Sequence, residues 1–430
     1  MRINAKRLLA LCVVLALGIS NLYAQKTIIH AGTLIDGKSH DTRSNVTIVV
    51  EDNKITAIEN GFSKGKKGDT IIDLKDKTVL PGLIDLHVHL EGETNPNRYI
   101  EPFTLNEADV AYKAIPLLNK TLMAGFTTVR DLGGSGVNIS MRNAINAGLI
   151  SGPRVITVGN SIGTTGGHAD PTNGRNDELM GDPGPREGVI NGVADARKAV
   201  RQRYKNGADH IKITATGGVL SVAKSGDAPQ FFEDELDAIV STAQEYGMHV
   251  AAHAHGAEGM RRAVAAGVKT IEHGTNMTEE VMDLMIEKGT YFVPTISAGK
   301  WVAEKAKIEG YYPAIIVPKA LDIGPRIQNT FKKAYERGVK IAFGTDAGVF
   351  PHGLNGREFK YMTEVGMPAM EAIQSATITA ATVLNLQDKI GSIETGKVAD
   401  IIAVNDNPLK KIEAMENVVF VMKEGKVYKK

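Results

Sequence analysis

Two histidines, His87 and His89, stand two residues apart at the end of the apolar run Leu80 to Leu90. Alternate residues of a strand share a face with their Cα atoms roughly 7 Å apart, so both imidazoles can reach one ion. Imidazole is a usual ligand for zinc and its first-row neighbours. Two ligands make only half a metal site, and a lone His-x-His pair is equally compatible with a polar pair at a strand end. Further metal-capable side chains close other apolar β-type runs: Lys212, His253, His273, and Asp346 in Phe343-Gly344-Thr345-Asp346. Each alone could be structural, whereas their joint placement at strand ends points to one metal-dependent centre.

Those residues need elements to carry them. Eight β-type runs alternate with helix-length amphipathic segments: Leu83 to His89, Thr127 to Leu132, Arg154 to Val158, His210 to Ala215, His249 to Ala254, Thr270 to His273, Tyr291 to Ile296 and Lys340 to Gly344. This is the pattern of parallel βα units. It predicts an α/β fold, a (β/α)8 TIM barrel over residues 80–390 with the site at the C-terminal strand ends. A doubly wound sheet would want a Gly-x-Gly-x-x-Gly after the first strand, which is missing. Residues 25–79 and 391–430 share a different texture of short β runs and Gly turns. They predict one small β-sandwich domain built from both ends.

The chain has 430 residues, 43% of them hydrophobic and 23% charged, with a formal charge of +1. That composition suits a large core plus a smaller domain and gives no electrostatic reason to expect nucleic acid or an anionic membrane as partner. A small-molecule substrate is the default. Arg2, Lys6 and Arg7 precede an apolar run from Leu8 to Ile19 and then Asn21-Leu22-Tyr23-Ala24, the pattern of a secretory signal peptide cleaved after Ala24. About a dozen apolar residues are too few to span a bilayer, so an exported protein, periplasmic or extracellular, without a membrane span is expected. The one cysteine, Cys12, lies in that segment. The mature chain therefore offers no disulfide and no thiolate ligand.

Through Pro81-Gly82-Leu83-Ile84-Asp85-Leu86-His87-Val88-His89, Ile211-Lys212, His253-Ala254-His255-Gly256, Ile271-Glu272-His273-Gly274 and Gly344-Thr345-Asp346-Ala347, the chain resembles the amidohydrolase superfamily. His-Ala-His-Gly and Pro351-His352-Gly353 resemble its secreted prolidase-like branch of Xaa-Pro dipeptidases and carboxypeptidase-like amidohydrolases. The resemblance implies a binuclear site, usually zinc: His87, His89 and Asp346 on one ion, His253 and His273 on the other, and carboxylated Lys212 bridging them. It also implies members that often form homo-oligomers. The chemistry of Lys212 supports the bridge independently. A protonated ammonium repels two dications, whereas its neutral form can add carbon dioxide to give a two-oxygen anion. A lysine paired with Asp346 is the plainer alternative.

Two such ions would acidify a water and polarise a carbonyl, with Asp346 passing the proton to the departing amine. The resemblance implies substrates that are dipeptides or N-acyl amino acids with a free C-terminal carboxylate, which needs cationic or donor partners. His168 in its Gly-rich loop, His255, His352 and Arg357 are the candidates, and the family pattern also gives His255 a catalytic role. His30, His40, His210 and His249 read as structural, and Trp301 and Tyr311-Tyr312 as packing. The competing readings are ring opening of a cyclic amide of the imidazolonepropionate type, deamination, and a non-catalytic binding protein. Deaminases of the superfamily generally lack the bridging lysine and carry a Glu shortly after the fifth-strand histidine, whereas here Glu258 falls in a following helix.

Overall fold

The structure, a computed structural model, describes residues 25–430; the expected signal segment and Cys12 lie outside the described residues. The strands Thr27–Leu34, Arg43–Glu51, Lys54–Asn60 and Thr70–Pro81 join Ile401–Val404, Val418–Lys423 and Lys426–Lys429 in one sheet. The two ends meet where Ile401–Val404 runs antiparallel to the end of Thr70–Pro81, with Ile401 opposite Pro81. Two facing sheets of a sandwich were expected. Instead the seven strands hydrogen-bond continuously, and an edge bridge between Lys54 and Val398 curls the sheet around Ile29, Val46, Ile48, Ile401 and Phe420. Alternate side chains of a strand face opposite ways, so one curled sheet can enclose a core on its inner face.

Leu83–Val88 continues straight out of that sheet across Gly82, where an added Cβ would lie 2.1 Å from the Thr127 hydroxyl. It opens a parallel sheet with Phe126–Asp131 and Arg154–Thr157. A second parallel sheet holds Ile211–Thr214, Val250–Ala254, Thr270–His273 and Tyr291–Val293. Single bridges join the two on both sides: Ile162 to Ile213 on one, and Phe292 to Ile341 with Val88 to Ala347 on the other. The expected eighth strand, Lys340 to Gly344, is thus reduced to the bridging residue Ile341. Hydrogen bonds still hold the run between its neighbours, Ala342 N donating to the Phe292 carbonyl at 2.9 Å and Leu86 N to the Phe343 carbonyl at 3.0 Å, before the chain turns into the site. Helices such as Val193–Asn206, Ala257–Ala266 and Val317–Arg337 follow the strands and bury one apolar face on them. Among the described residues no helix is long and apolar enough to cross a membrane.

The seventh strand ends early because Thr295 takes a left-handed backbone (φ 52°) and the helix Ile296–Lys305 begins. Its first amides point at the fully buried Glu358, which accepts from Ile296 N and Ser297 N at 2.7 Å and from Ser297 Oγ at 2.6 Å. A carboxylate suits a helix N-terminus. Burial nevertheless pushes this group up to about 8, against the pull of those donors. The folded chain therefore holds a proton that the unfolded chain releases above the ordinary value of 4.5. This group's contribution to stability falls as pH rises from about 4.5 to about 8. Urea unfolding across that range should show the decline, and Glu358→Gln should flatten it.

Candidate metal centre

The site residues are spread over four strands and the turn that follows Ile341. His87 and His89 leave the first strand, Lys212 the fourth, His253 and His255 the fifth, His273 the sixth. Asp346 follows the bridging residue Ile341. His87, His89 and Asp346 converge so that one ligand atom from each lies within 4.8 Å of the others. The Lys212 ammonium is 3.4 Å from His87 Nε2. His273 packs against His87 and His253, with ring centroids 4.9 and 4.6 Å apart. His255 lies against both His253 and His273, at 4.6 and 5.1 Å. The structure therefore gathers all six expected ligands and His255 into one cluster.

Partners behind the rings decide which nitrogens are free. His87 Nδ1 donates to Glu272 at 2.9 Å and His89 Nδ1 donates to the Gly133 carbonyl at 2.7 Å. His253 Nε2 donates to the Gly217 carbonyl at 3.1 Å. Those donations leave lone pairs on His87 Nε2, His89 Nε2 and His253 Nδ1. His89 Nε2 then faces Asp346 Oδ1 at 3.2 Å, and that oxygen is buried with no donor of correct geometry. Two acceptors facing each other at that distance call for a cation between or beside them, so the donor set fits a divalent ion. A proton is the other relief. Burial works to lower His89, yet Asp346 holds it above the ordinary histidine range.

Burial, then Lys212, lowers His87 to about 4, and burial lowers His255 to about 4 and His253 and His273 well below the ordinary value. Neutral imidazoles are what ligation requires. Burial also brings Lys212 down to about 8, which raises the share of neutral amine able to add carbon dioxide.

The alternation of the strand alone would turn Glu272 away from His273. His273 has φ 72°, however, and this left-handed residue breaks the alternation, so Glu272 and His273 both contact His87. Asp346 is left-handed too, at φ 63°. Glu272 is fully buried and also accepts from Arg130 at 2.8 Å and from the Thr270 hydroxyl. Burial works to raise it, but Arg130 and His87 hold it at about 2. Arg130 donates in turn to the Leu86 carbonyl at 2.7 Å. Asp85 ties the first strand to the Asp346 turn, accepting from Thr345 Oγ1 at 2.6 Å and Asn355 Nδ2 at 2.8 Å. Sequence reasoning missed Glu272, Arg130 and Asp85 as supports. A charged residue inside a β-type run of the core was the signal available for each.

A cavity of about 710 Å³ opens over the cluster, lined by His87, His89, Lys212, His253, His255, His273 and Asp346 together with His168. His168 stacks on His253 at 4.3 Å with its Nδ1 buried and unpartnered, and Gly218 leaves room for its ring, since a Cβ there would lie 2.2 Å away. His352 and Arg357, expected to meet a substrate anion, lie elsewhere. His352 is buried behind the wall, its ring nitrogens on Thr121 Oγ1 at 3.0 Å and the His89 carbonyl at 3.1 Å, so it braces the backbone of a ligand. Arg357 is partly exposed and pairs with Glu416 at 3.7 Å. His30, His210, His249, Trp301, Tyr311 and Tyr312 also lie outside the lining.

Glu272→Gln keeps the shape but leaves Arg130 buried without its anion. It should cost ~3 kcal/mol in denaturant unfolding. Chelator competition should show metal affinity weakened by roughly 10- to 100-fold. Affinity equal to that of the parent protein would mean that His87 is oriented by something else.

Comparison with known proteins agrees with this geometry. The amidohydrolase family model matches residues 78–428. Ochratoxinase from Aspergillus niger is 33% identical over 429 residues, covering 94% of this chain and 87% of that enzyme. A crystal structure of a Xaa-Pro dipeptidase with methionine bound in its active site superposes with a TM-score of 0.92 at 56% identity, covering 94% of this chain and all of that one. A prolidase in complex with N-methylphosphonate-L-proline gives 0.84 at 31% identity, with 94% and 100% covered. With its strand-end histidines, lysine and aspartate gathered over one cavity, the chain belongs to the amidohydrolase family.

Proposed function

We propose that the protein is an exported, binuclear metal-dependent hydrolase that cleaves the amide bond of dipeptides or N-acyl amino acids with a free C-terminal carboxylate. The observation that carries the metal part is the buried Asp346 Oδ1, without a donor and 3.2 Å from His89 Nε2. His87, His89 and Asp346 would hold one ion and His253 and His273 the other, zinc being the expected metal, with Lys212 between them as its carbamate. The bridges linking the two parallel sheets support reading residues 80–390 as the (β/α)8 barrel and the curled sheet of 25–79 and 391–430 as a second domain. Export rests on the residues at the N-terminus. The substrate part is supported by the relatives: one is a Xaa-Pro dipeptidase with methionine bound in its active site, another a prolidase in complex with N-methylphosphonate-L-proline.

Bound divalent ions would supply Lewis-acid polarisation of the scissile carbonyl and an acidified water. The chain's own groups do the rest. Asp346 sits on the ligand cluster with one oxygen unpaired, so it can take the water's proton and hand it to the amine nitrogen, which cannot leave as an anion. Glu272 holds His87 and the Gly133 carbonyl holds His89 in the ligating tautomer. His255, fixed on Thr275 Oγ1 at 2.8 Å, and His168 present imidazole edges to the substrate.

The test is a panel of free dipeptides, N-acyl amino acids and their C-terminal amides. The free acids should be hydrolysed at least about a hundredfold faster than the amides, because the receiving donors are left unpaired by an amide. Asp346→Asn should lower turnover by at least about a hundredfold. Equal rates on acids and amides, or activity confined to cyclic amides, would overturn the substrate assignment.

Elemental analysis should find about two divalent ions per chain. Lys212→Ala should lose at least one of them along with most activity, and short carboxylic acids should partly restore both by replacing the carbamate. An active parent protein with one ion, or an alanine variant with both, would sink the binuclear reading.

A further inference from the structure

Three cationic side chains besides histidine line the cavity: Lys113, Lys212 and Arg98. Lys113 is neutralised by Glu101 at 2.6 Å, and Lys212 belongs to the ligand cluster. Arg98 has neither role. Its guanidinium makes no ion pair or hydrogen bond among the described residues, and its Nη1 is buried without an acceptor. The neighbouring carboxylates are already engaged. Glu91 accepts from Ser135 N and Asn138 N, Glu93 pairs with Lys120 and receives His352 N, and Glu101 holds Lys113.

An arginine kept partly buried and unpaired is costly, since a donor without an acceptor loses its hydration with no return. It stands on an ordered turn, with Arg98 N donating to the Asn95 carbonyl at 3.2 Å, in the same strand-to-helix connection that begins at His89. Beside it are two more buried hydroxyls without a partner of good geometry, Thr94 Oγ1 and Tyr312 Oη, close enough for Tyr312 to feel both Thr94 and Arg98. Val219, Leu220, Val302 and Ile323 supply an apolar wall to the same cavity. A planar fork of donors next to an apolar wall matches the carboxylate and side chain of an apolar amino acid.

We propose that Arg98 is the specificity residue that receives the substrate's C-terminal carboxylate, and that the apolar wall takes the side chain of the C-terminal residue. The assignment rests on the reading of the site as a hydrolase of free-acid substrates, and it fills the place that Arg357 vacates by lying outside the cavity.

The test pairs binding with turnover so that the two ideas fail separately. Calorimetry on the metal-loaded full chain compares L-methionine with L-methioninamide, for the parent protein, Arg98→Met and Arg98→Lys. The parent should bind the acid at least about thirtyfold more tightly than the amide. Arg98→Met should lose that preference while its thermal melt stays that of a folded protein, and Arg98→Lys should keep part of it. In turnover, Arg98→Met should lower kcat/KM on free dipeptides at least about thirtyfold, through KM more than kcat, and should change the slow amide rates by no more than a few-fold. An Arg98→Met protein that keeps the parent's acid preference, or a parent that does not bind methionine, overturns the assignment. If the parent binds methionine through Arg98 but hydrolyses none of the dipeptides, the binding role stands and the proposed reaction falls.

Discussion

The contact on which the site depends is the buried charge pair of Arg130 and Glu272, because it fixes the first imidazole of the cluster. Glu272 takes a guanidinium from one sheet and the Nδ1 proton of His87 from another strand of that sheet, while standing on the other sheet itself. A buried pair of this kind adds little net stability, since desolvation offsets most of the attraction. What it supplies is geometry. Arg130 also donates to Leu86 O and Thr270 Oγ1, and the Thr270 hydroxyl donates to Glu272; so held, Glu272 gives His87 one favoured orientation and one tautomer.

Around that pair the structure accepts local strain. His273, Thr295 and Asp346 are non-glycine residues with positive φ, all at the ends of strands that meet at the cluster. Such a backbone costs on the order of 1 kcal/mol for each residue. It persists because surrounding hydrogen bonds over-determine it. His273 Nδ1 meets Thr295 Oγ1 at 2.7 Å, Asp346 N donates to the His87 carbonyl at 2.7 Å, and Asp85 holds the turn from Thr345. The gain is positional, since a strand that kept its alternation could not aim Glu272 and His273 at the same histidine.

The same crowding explains the electrostatics. Several imidazoles and a lysine share one buried pocket with Asp346 and Glu272, and burial keeps His87, His253, His255 and His273 neutral while bringing Lys212 down to about 8. Neutral bases with fixed lone pairs and one unpaired carboxylate oxygen form a pocket prepared for cations. The cavity above it has a different balance: apolar walls, Glu91, Glu93 and Glu101 already engaged, and Arg98 without an ion pair or hydrogen bond among the described residues.

The sequence alone determined the ligand types, their order along the chain and the strands that carry them. Those are local properties, set by the two-residue period of apolar runs and by the rarity of His, Lys and Asp at their ends. It also showed that both termini share one β texture, which the pairing of Ile401 with Pro81 realises. It did not show that the terminal strands form one curled sheet, nor that the run after Lys340 is a single bridge, since pairing depends on the partner strand as much as on the run itself. His352 and Arg357 looked like cavity residues because they follow Asp346 closely. Only the tertiary structure places His352 behind His89 and Arg357 on Glu416, and brings in Arg98 from the first strand's loop. Alternation has no means of foretelling His273's reversal, because a left-handed residue is held by contacts far along the chain. The type of each group was local, whereas its aim was decided by long-range hydrogen bonds.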